Sequence, residues 1–218
     1  MVYEPPTLSE LYARVGRDLR DPEHLTLDLD VLGDFINDGI AEINQVKPPE
    51  LRLEVTDLEG LASLPFSHVW KVEAVRTSGE GQNLIPPNND GVAWQNGWTY
   101  FAHRLELPQA TVRWLAQVFE DITVVIRIYG YYDRDPLADV EDTFDGDLED
   151  EQLLRRYCKA LGFEALKADR NLYQQWQAQA NNADVSPTQL TAMADAAMAD
   201  WHRIKRRAYA IRMPAAGF

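Results

Sequence analysis

The densest chemistry in this 218-residue chain is the run from Asp133 to Glu151, "DRDPLADVEDTFDGDLEDE", where ten carboxylates accompany one base, Arg134. Oxygen-rich segments suit a hard cation such as calcium, which needs ligands at alternate positions around a glycine turn and a bidentate glutamate closing the loop. Placing Gly146 at the loop glycine puts Glu141, Thr143 and Asp145 in the early positions, but leaves Gln152 where that glutamate must stand. The spacing fails, and no metal site is expected. The last acids fall in the first turn of a following helix, where the dipole favours negative charge. The remainder reads as a solvated connecting segment kept extended by self-repulsion.

The other reactive residue types are scattered. His24, His68, His103 and His202 fall one to each part of the chain, with no cysteine, histidine or carboxylate at zinc spacing, and no serine has a nucleophile-elbow context. Gly79 and Gly81 in "TSGEGQN" lack the following Lys-Ser or Lys-Thr of a phosphate loop and read as a hairpin tip. Cys158 is the only cysteine, so no intramolecular disulfide can form, and its helical spacing from Leu154 and Leu161 marks a small buried side chain. Neither catalysis nor a cofactor is expected.

Two constellations suit recognition instead. Trp94, Trp98, Tyr100 and Phe101 could form a sugar-stacking face, which would make the chain a carbohydrate- or receptor-recognition module with its site on the Trp94–Phe101 hairpin. Aromatics at strand spacing also serve as core or interface. At the other end, Arg203, Lys205, Arg206, Arg207 and Arg212 follow the last acid, Asp200, and are interleaved with Tyr209, Ile211, Met213 and Phe218. That segment reads either as a solvated helix C-terminus, which favours cations, or as a docking tail for an acidic, apolar groove.

The totals set limits on partners. Thirty-five acids against 21 bases give a formal charge of −14, which opposes broad adhesion to phosphates or anionic membrane. A hydrophobic share of 45% with 26% charged residues is ordinary for a globular chain. No secretory leader and no membrane-spanning stretch is read in the sequence.

The elements that must position these residues change period twice. Thr7 and Glu10 form a capping box before Leu8, Leu11, Tyr12, Val15 and Leu19, predicting a helix over 8–20 that Asp21-Pro22 stops. A second helix, capped by Asp28 or Asp30, carries Leu32, Phe35, Ile36, Ile40, Ile43 and Val46 on one side, until Pro48-Pro49 forces an extended exit. Gly33 and Gly39 inside it suggest close approach by a neighbouring element. From Leu51 to Tyr132 alternation of period two predicts about six strands, with hairpin turns at Ser78–Gly81 and at Asn96-Gly97. In this reading Val69, Lys71, Glu73 and Val75 oppose Trp70, Val72, Ala74 and Arg76, and the last strand sets Ile122, Val124, Ile126 and Ile128 against Thr123, Val125, Arg127 and Tyr129. Asp147 then caps one long helix reaching towards Asn181, and Ser186-Pro187-Thr188-Gln189 opens the last helix.

The expected fold is therefore α+β: an N-terminal helical hairpin, a central antiparallel β-module forming a small sandwich or barrel, and long C-terminal helices. The expected division is a hairpin at 1–47 packing with the C-terminal helices, a β-module at 50–132, an acidic linker at 133–150, and a helical region at 151–218 with a docking tail.

"LDVLGDFINDGIAEINQVKP" resembles the N-terminal hairpin of head-to-tail adaptor (connector) proteins of tailed bacteriophages. Their second helix often has the form leucine, Ile-Asn-Asp-Ala and Glu-Ile, after a first helix ending near "R.L.D". This chain has Ile36-Asn37-Asp38 and Glu42-Ile43 for the former, with Gly39 where the family more often has alanine, and Arg17, Leu19 and Asp21 for the latter. The likeness extends through "VVIRIYGYY" (124–132) and the acidic link into "EQLLRRYCKALGFEALKADRNLYQQW" (151–176). It implies a non-enzymatic ring subunit of the virion neck, usually twelvefold, assembled in the host bacterial cytoplasm. Such a subunit contacts its own copies, the portal protein above and the next neck or tail protein below. Double-stranded DNA passes through the channel without specific binding, and no membrane is involved. On that expectation Arg206, Arg207, Tyr209, Ile211, Arg212 and Phe218 dock on the portal, while Asp139, Glu141, Asp142, Asp145 and Asp147 face the lumen or rim.

Overall fold

The computed structural model describes residues 3–56, 59–75, 81–84, 97–118 and 125–212, by backbone alone for 59, 81–84, 114–118 and 208–212. The element order is α1 (Leu8–Asp18), α2 (Leu29–Val46), β1 (Glu50–Val55), a 3₁₀ turn (Glu59–Ala62), β2 (His68–Val75), β3 (Gly81–Leu84), β4 (Thr99–Phe101), β5 (Arg104–Glu106), α3 (Gln109–Val118), β6 (Val125–Tyr131), α4 (Leu148–Ala168), α5 (Arg170–Ala178) and α6 (Pro187–Arg212). The fold is α+β, with helices at both ends and a small open antiparallel sheet between them rather than a closed barrel. The chain forms two compact units, one of residues 1–47 with 134–218 and one of residues 48–133.

Local signals set the helix starts. Thr7 Oγ1 accepts from the Glu10 N–H at 3.3 Å while Glu10 accepts from the Thr7 N–H, the reciprocal box expected at α1. Asp28, rather than Asp30, caps α2 by accepting from Val31 N–H at 2.9 Å. Asp147 caps α4 in a second box with Asp150, and Ser186 exchanges hydrogen bonds with Gln189 around Pro187 at the start of α6. The long C-terminal helix expected from the sequence is broken. Asp169 ends α4 and caps α5, accepting from Asn171 N–H at 2.7 Å and Leu172 N–H at 3.3 Å. This break directs Trp176 into the helical core, where its indole N–H donates to Leu19 carbonyl at 2.8 Å.

In the helical unit α4 packs against α1, α2, α5 and α6. The shared core includes Leu11, Val15, Ile36, Ile43, Leu154, Cys158, Phe163 and Trp176. At Gly39 side chains of α4 press against the backbone of α2: a Cβ there would lie 2.5 Å from Leu154 Cδ1 and 3.0 Å from Tyr157 Cδ1. Cys158 is fully buried, and that burial pushes its thiol up, out of the reactive range.

In the β-unit the sheet order is β1-β6-β2-β3, antiparallel throughout. Ile126 and Ile128 of β6 join Val55, Val72, Phe66, Trp98 and Leu105 in a second core. Two expectations change here. A bulge between Val69 and Lys71 shifts the register of β2, so that Val69 and Val72 both enter this core, while Trp70 lies 45% exposed and its ring is 5.5 Å from that of Tyr129. Lys71, Glu73, Tyr129, Arg127 and Glu54 make an ion-paired polar network, in which Arg127 meets Glu54 at 2.9 Å and the Tyr129 hydroxyl donates to Glu73 at 3.1 Å. The second change is helix α3, which lies where strand alone was expected. The turn at Ser78–Gly81, except for Gly81, falls outside the described residues, as do Val92–Asn96 and Ile122–Val124.

The described hairpin in this region runs β4 to β5, and its two loop residues, Ala102 and His103, both have positive φ, 49° and 62°. Two-residue hairpin loops need that conformation to match strand twist, and Asn-Gly adopts it far more readily than Ala-His. Replacing Ala102 by Asn and His103 by Gly is expected to stabilise the β-unit by about 1–2 kcal/mol in denaturant unfolding. The backbone bond from Leu64 N–H to His103 carbonyl, 2.8 Å, survives the change. A lower midpoint for the double variant would count against this account of the turn.

Candidate interaction surfaces

The acidic segment is a strap bound along its backbone, not a freely solvated linker. Asn37 and Asn44, two turns apart on α2, each form a reciprocal amide pair with it. Asn37 Nδ2–H donates to Leu137 carbonyl at 3.0 Å and its Oδ1 accepts from Leu137 N–H at 2.9 Å; Asn44 treats Arg134 in the same way, at 3.0 Å both ways. The strap then crosses the start of α1: Thr7 bridges Thr143, Leu8 N–H donates to Asp142 carbonyl, Ser9 N–H to Val140 carbonyl, and Phe144 N–H to Pro6 carbonyl. Leu137 and Phe144 are buried beneath it. These contacts give a physical role to the Ile-Asn-Asp motif of α2, whose asparagine the sequence displays without its partner.

A buried ionic corner ties together the points where the chain leaves and re-enters the helical unit. Arg134 donates to Asp150 at 2.7 Å, to Lys47 carbonyl at 3.0 Å and to Asp145 carbonyl, and it lies over the Phe144 ring. Lys47 Nζ meets Asp150 at 2.8 Å and also reaches Glu149 and Asp147. Burial disfavours the Asp147 carboxylate, but the Asp150 N–H and the Lys47 ammonium outweigh it and hold its pKa below the usual value. Nearby, Glu151 is buried against Arg14 at 2.7 Å and Tyr3 at 3.3 Å, and burial together with Glu151 pushes the Tyr3 phenol up to about 12.

The Arg17-Leu19-Asp21 motif also acquires a structure. Asp21, 1% exposed, accepts from the N–H groups of Leu25, Thr26 and Leu27 at 2.9–3.1 Å and from Gln179 Nε2–H at 2.7 Å, organising the α1–α2 loop. Arg20 beside it has φ 58°, and its carbonyl accepts from Asn182.

The expected site residues fall in separate places. Of the strap acids, Asp139, Glu141 and Asp145 are exposed. Asp142 accepts from the Ala138 and Asp139 N–H groups at 2.8 Å, which holds its pKa down, and Asp147 is the α4 cap. Arg206 and Arg207 lie exposed near the end of α6, where Arg203 pairs with Asp200 and Lys205 with Glu42. Tyr209, Ile211 and Arg212 continue α6, and Phe218 lies outside the described residues. In the aromatic hairpin Trp98 is buried in the β core, Tyr100 donates its hydroxyl to Phe66 carbonyl, and Phe101 stands 85% exposed; Trp94 is outside the described residues. No group of three or more His, Cys, Asp or Glu side chains that could hold a metal occurs among the described residues, and no described helix is long and apolar enough to cross a membrane.

One surface escaped the sequence reading. An open cleft of about 820 Å³ lies between α4, α6 and the end of α1, with Phe163, Met193 and Ala197 among its lining residues and Arg20, Arg155, Arg156 and Lys159 as its cations. Arg155 is paired with Asp18 at 2.8 Å and Arg156 with Asp200 at 2.6 Å. Arg20 and Lys159 meet no carboxylate at ion-pair distance among the described residues. The spacing Arg155, Arg156, Lys159 along one helix was visible in the sequence, but the α6 wall opposite was not.

The chain belongs to the SU10 adaptor protein family, whose model matches residues 6–210. The family is one of bacteriophage head–tail adaptors, structural components of the virion that interact with other head and tail proteins, and not a class of enzyme. No curated protein matches the chain.

Proposed function

We propose that this chain is a ring-forming subunit of a tailed-phage neck, seated beneath the portal, joining capsid to tail around a channel for DNA. The observation that carries this reading is the family match over residues 6–210, and the fold is consistent with it. The copy number we propose is twelve, as the resemblance implies. Assembly takes place in the host bacterial cytoplasm. The strap acids Asp139, Glu141, Asp142, Asp145 and Asp147 belong to the lumen or rim: Asp142, Asp145 and Asp147 supply the negative wall along which a polyanion slides without sticking, and Asp139 and Glu141 stand at the rim facing the neighbouring copy.

The portal contact is assigned to the end of α6 and the tail, through Arg206, Arg207, Tyr209, Ile211, Arg212 and Phe218. Its support is charge segregation: no acid follows Asp200, whereas the strap carries ten acids against one base. Deleting residues 206–218 is expected to weaken binding to purified portal rings by about a hundredfold, the effect of losing a small cluster of interface anchors. Unchanged affinity in a surface-binding measurement would remove the tail from this role.

A further inference from the structure

We propose that the cleft between α4, α6 and the end of α1 receives the acidic strap of a second copy of this chain, with Val140 on its apolar floor and Asp139 and Glu141 at its cations. The proposal deepens the ring reading above and rests on it. Its first support is chemical complementarity. In a chain of net charge −14, four cations line this cleft against two carboxylates, Asp18 and Asp200. Lys159 lies over the Phe163 ring with no ion-pair partner among the described residues, and Arg20 also lacks one. A ligand for this surface carries carboxylates around an aliphatic side chain.

The strap offers that pattern. Asp139 and Glu141 are exposed and flank Val140, an aliphatic residue left 52% exposed. It is presented in a fixed shape, because Ser9 N–H holds the Val140 carbonyl and Leu8 N–H the Asp142 carbonyl. A preformed loop loses little entropy on binding.

The same contacts prevent the strap from filling its own cleft. They fix Val140 at the first turn of α1, whereas the cleft includes Asp18, the last residue of that helix. Nine residues of helix separate the two ends by about 14 Å. The cleft runs along α4 from Gln152 to Phe163 and reaches Asp18 and Arg20 at the end of α1, so an acidic knob and a basic cleft on different parts of the helical unit's surface make a heterologous contact between copies. Contacts of that kind generate rings when the rotation closes.

The experiment places one cysteine on each surface, Val140→Cys and Met193→Cys in one chain, in phage particles carrying this adaptor. Buried Cys158 does not compete. Mild oxidation is expected to give a ladder of covalently linked adaptors on a non-reducing gel, and neither single variant gives one. Adding Lys159→Glu is expected to reduce the ladder about tenfold by placing like charges in contact, and Glu141→Lys in that background to restore it. Absence of a ladder in necks that hold several adaptor copies overturns this contact and leaves the ring standing. Necks holding a single copy overturn both. A crosslink from Met193→Cys to a different neck protein also overturns the proposal, since another partner would then occupy the cleft.

Discussion

Asp150→Ala is expected to destabilise the helical unit by about 4 kcal/mol, because removing one member of a buried ion pair strands the other without compensation. Asp150 is 4% exposed and receives both the Arg134 guanidinium at 2.7 Å and the Lys47 ammonium at 2.8 Å. Its carboxylate also takes part in the α4 capping box, so the substitution frays the helix start as well. Asp150→Asn, which keeps one acceptor, should lose less. Urea unfolding followed by far-ultraviolet circular dichroism measures the difference, and a loss below about 1 kcal/mol would show that water replaces the pair at little cost. The same corner gives a pH dependence. Because the folded Asp147 pKa is depressed, its contribution is complete above the unfolded value near 3.9 and disappears as pH falls through the folded value. Lys47 is shifted the other way: burial opposes its charge, but Asp150 and its neighbours raise its pKa, so that contribution is lost only in strong alkali. Acid should therefore open this corner before neutral or mildly basic conditions do.

Asp21→Ala is expected to cost about 3 kcal/mol, since each buried donor left without an acceptor loses roughly 1–3 kcal/mol of desolvation. Three backbone N–H groups, those of Leu25, Thr26 and Leu27, and the Gln179 side chain share this one carboxylate. The loss should be local first. Hydrogen exchange of the 25–27 amides is expected to accelerate more than that of amides within α4, because loops open by sub-global fluctuations. Equal acceleration throughout would show that Asp21 acts on global stability and not on the loop. Asp21→Asn keeps a single acceptor oxygen and should fall between the two.

What could be read from the sequence was what depends on neighbours in the chain. The boxes at Thr7 and Ser186 and the cap at Asp147 lie within three residues of their partners, and each was predicted at its observed position. Gly39 was readable as a close approach, although not as an approach by Leu154 and Tyr157. The strap was not readable, because its partners Asn37 and Asn44 lie 100 and 90 residues away, and composition alone made an acidic stretch look solvated. Asp169 gave no warning of a helix break: it is neither proline nor glycine, and it serves two helices as a cap. The β4–β5 loop was missed because Ala102-His103 carries no turn signature, while Asn96-Gly97 a few residues earlier does. Of the recognition surfaces, the basic end was legible as charge. The cleft was not, since its walls come from helices distant in sequence.

The helical unit closes across its own gap: Arg134 and Lys47, the residues on either side of an 86-residue excursion from 48 to 133, touch directly. Its two severed ends are already held together by the bundle, as the mouth of a purse is held by its clasp. Whatever is threaded between them can lengthen, shrink or be exchanged with little effect on how the helices meet. The module between residues 48 and 133 can therefore change while the helical unit keeps its own packing.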